Sequence, residues 1–178
     1  MRIIAGNSRG RKLAPIKGDR IRPTSDRARE DIFNIIGHEI RDARVLDIFA
    51  GTGALGLEAL SRGACETVFI DIDCTFIYKN IKLCRFEEQA LVIKKDIIHS
   101  SFPDILTSGT FDFIFLDPPY GKGYIEKTLH KKEFIELMSP KTLIIAEHGF
   151  KETPEINISG LDIFRQKKYS NTVISFMT

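Results

Sequence analysis

From residue 44 onward, short apolar runs alternate with longer amphipathic stretches. Val45–Phe49, Thr67–Asp71, Leu91–Lys94, Phe111–Leu116 and Thr142–Glu147 have the length and composition of buried strands. The segments between them, near Ala54–Ser61, Thr75–Arg85, Ile97–Leu106 and Tyr124–Met138, read as helices. Four strand–helix–strand steps in succession predict a parallel sheet with helices on both faces. Two further strand-like runs close the chain, Leu161–Arg165 and Thr172–Met177. Lys167-Lys168-Tyr169-Ser170-Asn171 joins them at hairpin length, so this pair is expected to be antiparallel.

Upstream of the alternation, Arg2–Gly6 and Arg11–Ala14 read as two short strands around the turn residues Asn7-Ser8-Arg9-Gly10. A loop holding Pro15, Gly18 and Pro23 follows. Thr24 or Ser25 can cap a helix, and Ala28, Ile32, Ile35, Ile36 and Ile40 continue it at helical spacing. The one plausible boundary lies near 40–44. It separates an N-terminal hairpin–helix extension, residues 1–43, from an α/β body, residues 44–178.

Composition narrows the class. A chain of 178 residues, 43% apolar and 28% charged, suits one globular domain with a sizeable core. No apolar run approaches a membrane span, and the N-terminus lacks the apolar core of a signal peptide. Cys65, Cys74 and Cys84 show no Cys-x-x-Cys spacing, which fits reduced cysteines in the cytoplasm. The four histidines are scattered, so no metal site is expected. A monomer is the default.

Charge is more telling. The net value is only +2, yet residues 1–29 hold nine basic and two acidic side chains while the remaining 149 residues sum to −5. A basic end on an acidic body suggests a polyanion partner touching that end.

The chemistry sits where strands stop. Asp117-Pro118-Pro119-Tyr120 follows the strand Phe111–Leu116, at the ligand-facing edge of such a sheet. Asp117 and the Pro118 carbonyl can accept from an exocyclic amine, and Tyr120 can stack on the ring that bears it. Prolines fix φ and donate no N–H, so the carbonyls stay available. The bland alternative is an ordinary strand stop. The first body strand runs into Asp47-Ile48-Phe49-Ala50-Gly51-Thr52-Gly53-Ala54-Leu55-Gly56, a Gly-x-Gly-x-x-Gly pattern between strand and helix. Asp71 ends the next strand and can bind ribose hydroxyls. Asp47, four residues before the first glycine, would oppose a pyrophosphate but suit a cationic ligand such as the amino-acid end of S-adenosylmethionine. Asp96 ends the third strand, where it can accept from an adenine amine or simply cap the next turn. Four carboxylates at successive strand ends point to a small-molecule cofactor beside a reaction site.

These residues resemble the Rossmann-like S-adenosylmethionine-dependent methyltransferases that act on exocyclic nitrogen. More closely, Arg2-Ile3-Ile4-Ala5-Gly6, Arg9-Gly10-Arg11-Lys12-Leu13, the run Arg22 to Glu30 and the run Leu46 to Ala64 resemble the RsmD family, as do Glu147 and the tail Lys168 to Thr172. That resemblance implies a seven-stranded sheet of order 3-2-1-4-5-7-6 with its last strand antiparallel. It implies methyl transfer from S-adenosylmethionine, leaving S-adenosylhomocysteine, to the N2 amine of one guanine in 16S ribosomal RNA, free or within a partly assembled small subunit. The expected cofactor set is Asp47, Phe49, Ala50, Gly51, Thr52, Gly53, Asp71, Ile72, Asp96 and Ile97. The expected reaction site is Asp117, Pro118, Pro119 and Tyr120. The expected RNA contacts are Arg9, Arg11, Lys12, Arg22, Thr24 and Arg27. Two positions depart from the family pattern: Asp71, where many relatives carry Glu, and Tyr169-Ser170-Asn171, where relatives often carry Tyr-Gly.

Rival readings make different predictions. A DNA adenine-N6 methyltransferase can use the same four-residue run, but this chain has little room for a domain that reads duplex sequence. A non-catalytic RNA-binding module would not bind S-adenosylmethionine. A nicotinamide oxidoreductase is disfavoured by Asp47.

Overall fold

A computed structural model describes residues 1–15, 25–152 and 160–178. Its strands are β1 (Arg44–Ile48), β2 (Glu66–Asp71), β3 (Ala90–Lys94), β4 (Phe111–Leu116), β5 (Met138–Gly149), β6 (Ile163–Tyr169) and β7 (Thr172–Met177). They form one sheet in the order β3-β2-β1-β4-β5-β7-β6. The first five run parallel, and β7 pairs antiparallel with both β5 and β6. The expected order and the antiparallel tail are therefore both present.

The helices are α1 (Asp26–Ile36), α2 (Ala54–Ser61), α3 (Thr75–Cys84), α4 (Tyr124–Leu129) and α5 (Lys132–Ile135). Among the described residues, none is long and apolar enough to cross a membrane. Ser25 caps α1, its hydroxyl accepting from the Ala28 N–H at 3.1 Å. One face of the sheet is covered by α1, α2 and α3, through Phe33, Leu57 and Ile77 against Val45, Phe69 and Phe115. Ile3 and Leu13 from the N-terminal segment join that same core. The other face is covered by Ile97, Phe102, Leu106 and the side chains of α4 and α5.

Four expectations need correction. Ile97–Leu106 is not a helix. Asp96 caps a turn there, the chain then runs extended through Pro103, and only Asp104–Ser108 winds into a 3-10 turn. Ile97, Phe102 and Leu106 are buried, but an irregular backbone buries them, and Ile105 is left 60% exposed. Tyr124–Met138 is two short helices, because Lys131 turns extended between them. That break brings Phe134 against Phe102, with centroids 6.0 Å apart, while the Lys131 ammonium donates to the Ser100 carbonyl at 2.8 Å. Met138 already belongs to β5. The N-terminal strands reduce to a single antiparallel bridge between Arg2 and Lys12. In the tail, Lys167–Tyr169 belongs to β6, so the turn shrinks to Ser170-Asn171. Ser170 adopts φ +51°, a conformation that glycine takes at little cost and serine at more.

Candidate functional site

β1 and β4 are neighbours, with Ile48 opposite Leu116. The chain leaves β1 toward β2 on one side and reaches β5 from β4 on the other, so the strand order reverses between them. A crevice opens at such a switch point, outside the carboxyl ends of the strands. The glycine loop after β1 and the Asp117 run after β4 flank it.

The loop is built tightly. Phe49 leaves β1 at φ +61°, and Gly51 and Gly53 take φ +57° and +76°. Gly56 serves close packing instead, since a Cβ there would lie 2.4 Å from the Phe69 ring and 2.7 Å from Thr67. The missing side chain lets α2 rest directly on β2.

Asp47 is 1% exposed and accepts the Gly56 N–H at 2.9 Å. Burial pushes its carboxyl up to about 7, opposed by that hydrogen bond and assisted by the charge of Asp71. It thus braces the start of α2 and is held behind the loop. Asp71 reaches the loop as well, accepting from Gly51 N–H at 2.8 Å and from Asp73 N–H at 3.0 Å. Beside it Ile72 is 65% exposed, an apolar surface that a flat ring could cover.

Asp96 is differently employed. Its carboxylate accepts from Ile98 N–H at 3.0 Å and His99 N–H at 3.2 Å, and pairs with His99 Nδ1 at 2.8 Å. Those bonds hold its carboxyl below the ordinary range, the His99 side chain contributing most. Of its two expected roles, capping the turn is the one these bonds display. Ile97 is buried in the core.

Across the crevice, the Asp117 N–H donates to the Ile48 carbonyl at 3.4 Å, tying the two strand ends. Pro118 is buried and Pro119 exposed. Tyr120 is pinned: its hydroxyl donates to Glu147 Oε1 at 2.7 Å and lies 3.0 Å from Thr172 Oγ1. Burial foremost pushes the phenol far above its ordinary value, so it stays protonated. A cavity of about 180 Å³ opens here, lined by Pro118, Tyr120, Tyr124, Glu147, His148 and Glu152 among others. Phe49 from the glycine loop stacks on Tyr124, centroids 6.0 Å apart and planes 16° apart, so the loop and the cavity share a wall.

Tyr124, Glu152 and Asn80 escape a reading of motifs. Asn80, buried on α3, donates to the Thr52 carbonyl at 2.9 Å and accepts from Ala14 N–H at 2.7 Å. It thereby clips the N-terminal segment to the glycine loop. Buried Glu58 on α2 adds to this, accepting from Ile4 N–H at 2.7 Å and Ala5 N–H at 3.0 Å. A polar residue amid apolar positions of a helix is the only signal the sequence offers for either.

Of the expected RNA contacts, Arg9, Arg11, Lys12 and Arg27 are exposed. Arg22 and Thr24 lie outside the described residues.

The family model described as Conserved hypothetical protein 95 matches residues 1–178. The chain is 33% identical over 174 residues to the Haemophilus influenzae protein named ribosomal RNA small subunit methyltransferase D, covering 94% of this chain and 88% of that one. The chain belongs to the RsmD family. The Escherichia coli protein of the same name is 38% identical over 151 residues, covering 83% and 74% of the two chains. Among solved structures, yhhF from Escherichia coli superposes with a TM-score of 0.82 at 32% identity, covering 99% and 96%.

Proposed function

We propose that this protein transfers a methyl group from S-adenosylmethionine to the exocyclic N2 amine of a guanine in small-subunit ribosomal RNA. The observation that carries the reading is the crevice itself. A tight glycine loop braced by a buried, high-pKa carboxyl stands beside a cavity lined by Pro118, Pro119 and Tyr120, the residues that follow Asp117. The names of its relatives supply the RNA.

The residues present fit this cofactor. The loop lets a ligand approach its backbone closely, Ile72 offers an apolar shelf, Asp71 can hold ribose hydroxyls, and the charge of Asp47 would be favoured by a nearby cation. When bound, the cofactor supplies an electrophilic methyl on a sulfonium. The chain's own part is to prepare the amine, whose lone pair is delocalised into the ring. Asp117 and the Pro118 carbonyl accept its two N–H bonds, which turns the lone pair out of conjugation and toward the methyl. Tyr120, locked by Glu147 and Thr172, offers the base a fixed face. Asp117 then receives the released proton, directly or through water. Most of the acceleration comes from positioning and electrostatics. Taking the base out of its stack costs a few kcal/mol, and stacking on Tyr120 offsets roughly 1–3 kcal/mol of it.

Tritiated methyl transfer to ribosomal RNA or small subunits from cells lacking the enzyme, with DNA alongside, tests the reading. Label is expected on one guanine N2 of the RNA; label on DNA adenine would overturn it. Asp117→Ala is expected to lower transfer by about a hundredfold or more while S-adenosylmethionine affinity, measured by calorimetry, stays near that of the parent.

A further inference from the structure

The three amine-bearing bases differ in what stands beside the amine. In adenine and cytosine the neighbouring ring nitrogen is an acceptor. In guanine it is N1–H, a donor, so the amine and N1 together present two donors in a row. A pocket that offers two anionic acceptors side by side therefore matches guanine and repels the other two.

The register places two such acceptors together. Leu116 on β4 is the Cα partner of Ala146 on β5. The next residues are Asp117 and Glu147, so two carboxylates leave neighbouring parallel strands at the same level of the sheet. Strand neighbours stand about 4.8 Å apart. Glu147 Oε1 accepts the Tyr120 hydroxyl at 2.7 Å, and the charges of both carboxylates act on that phenol. Glu147 is only 5% exposed, yet it lines the cavity. Anchoring Tyr120 does not by itself require a carboxylate, because Thr172 Oγ1 already lies 3.0 Å from the same hydroxyl. A carboxylate has about four acceptor sites, so it can hold a phenol and the edge of a ring together. The cavity also carries Glu126 and Glu152, and no lysine or arginine lines it among the described residues. It is built for a neutral ring with donors on its edge and against a phosphate.

We propose that Glu147 is the specificity residue of this site, accepting the guanine N1–H while Asp117 and the Pro118 carbonyl hold the N2 amine. The proposal rests on the methyltransferase reading above and adds the reason the substrate is guanine. A base without N1–H would leave a buried carboxylate facing a lone pair, which costs far more than an unmet polar group on the surface.

The test uses 2-aminopurine, which keeps the 2-amine but carries an acceptor at N1. A synthetic segment with this base in place of the mapped guanine is ligated into small-subunit RNA and compared with the guanine parent. The unaltered protein is expected to favour guanine by roughly ten- to hundredfold in kcat/KM. In Glu147→Gln, whose amide can donate to N1, that preference is expected to shrink to a few-fold or vanish, with S-adenosylmethionine affinity unchanged. 2-Aminopurine also lacks O6, but that difference acts equally on both proteins and so cancels in the comparison. An equal preference in both proteins would overturn the role of Glu147. Equal transfer to the two bases by the unaltered protein would overturn it even if Glu147→Gln failed to fold. Failure to methylate guanine at all would instead bring down the proposed function.

Discussion

Asp47 shows how one buried group can couple ligand and proton. Burial lifts its carboxyl from 3.8 to about 7, so the folded protein retains a proton that the unfolded chain gives up. The stability this confers is fully present below about pH 4 and is lost as pH rises toward 7. A shift of this size corresponds to at most about 4 kcal/mol. A cationic ligand beside Asp47 favours the ionised form. Binding of S-adenosylmethionine near pH 6.5 is therefore expected to expel a proton from Asp47. Calorimetry in buffers of different ionisation enthalpy would read this, and Asp47→Asn is expected to release correspondingly less. At the same scale, buried His148 sits 2.8 Å from Ser175 Oγ, and burial chiefly holds its pKa below the usual value. The unfolded chain takes up that proton first, so acidification below about pH 6.5 is expected to lower the melting temperature. His148→Gln should flatten that part of the profile.

At the scale of elements, the crevice depends on interactions that no single motif contains. Asn80 on α3 reaches both Ala14 and Thr52, and Glu58 on α2 holds Ile4 and Ala5. The basic segment is thus fastened to the two helices that frame the glycine loop. Asn80→Ala strands the Ala14 N–H and the Thr52 carbonyl, at about 1–3 kcal/mol for each group left unsatisfied. The expected result is weaker S-adenosylmethionine binding and faster proteolysis within residues 1–15, together in one variant. Normal cofactor affinity with a loosened N-terminus would show that the clip serves the segment alone. The same scale explains what periodicity misread. Ile98, Phe102, Ile105 and Leu106 are spaced as if on one helix face, yet of these only Phe102 and Leu106 are buried while Ile105 is 60% exposed, because the backbone that delivers them is irregular. The break at Lys131 was invisible because what it accomplishes, the meeting of Phe134 with Phe102, is an interaction between distant segments.

Over the whole molecule, charge is segregated. The basic excess of residues 1–29 sits on an acidic remainder, and Arg9, Arg11, Lys12 and Arg27 are exposed. Phosphates would be drawn to that end and repelled from the cavity lined by Glu126, Glu147 and Glu152. Replacing Arg9, Arg11 and Lys12 by glutamate is expected to weaken RNA binding at low salt. It should also flatten the dependence of log affinity on log salt by about 0.7–0.9 for each phosphate no longer neutralised. Filter binding across a salt series would check this, and an unchanged slope would reduce the segment to a solubility feature.

The sequence by itself determined the alternation of strands and helices, the carboxylates at strand ends and the glycine loop. Each is local: a strand's length, a turn's need for glycine and a proline's fixed φ are properties of a few consecutive residues. Only the tertiary structure decided what those carboxylates do. Asp47 is turned inward to brace α2, and Asp96 is engaged by the turn it caps. Asp117 and Glu147 each follow a residue paired across the β4–β5 register. A side chain's burial and partners are set by elements that pack against it from far along the chain. The run Asp117-Pro118-Pro119-Tyr120 was therefore legible in the sequence, whereas its nearness to Glu147, on which the proposed guanine preference rests, appeared only when two strands lay side by side.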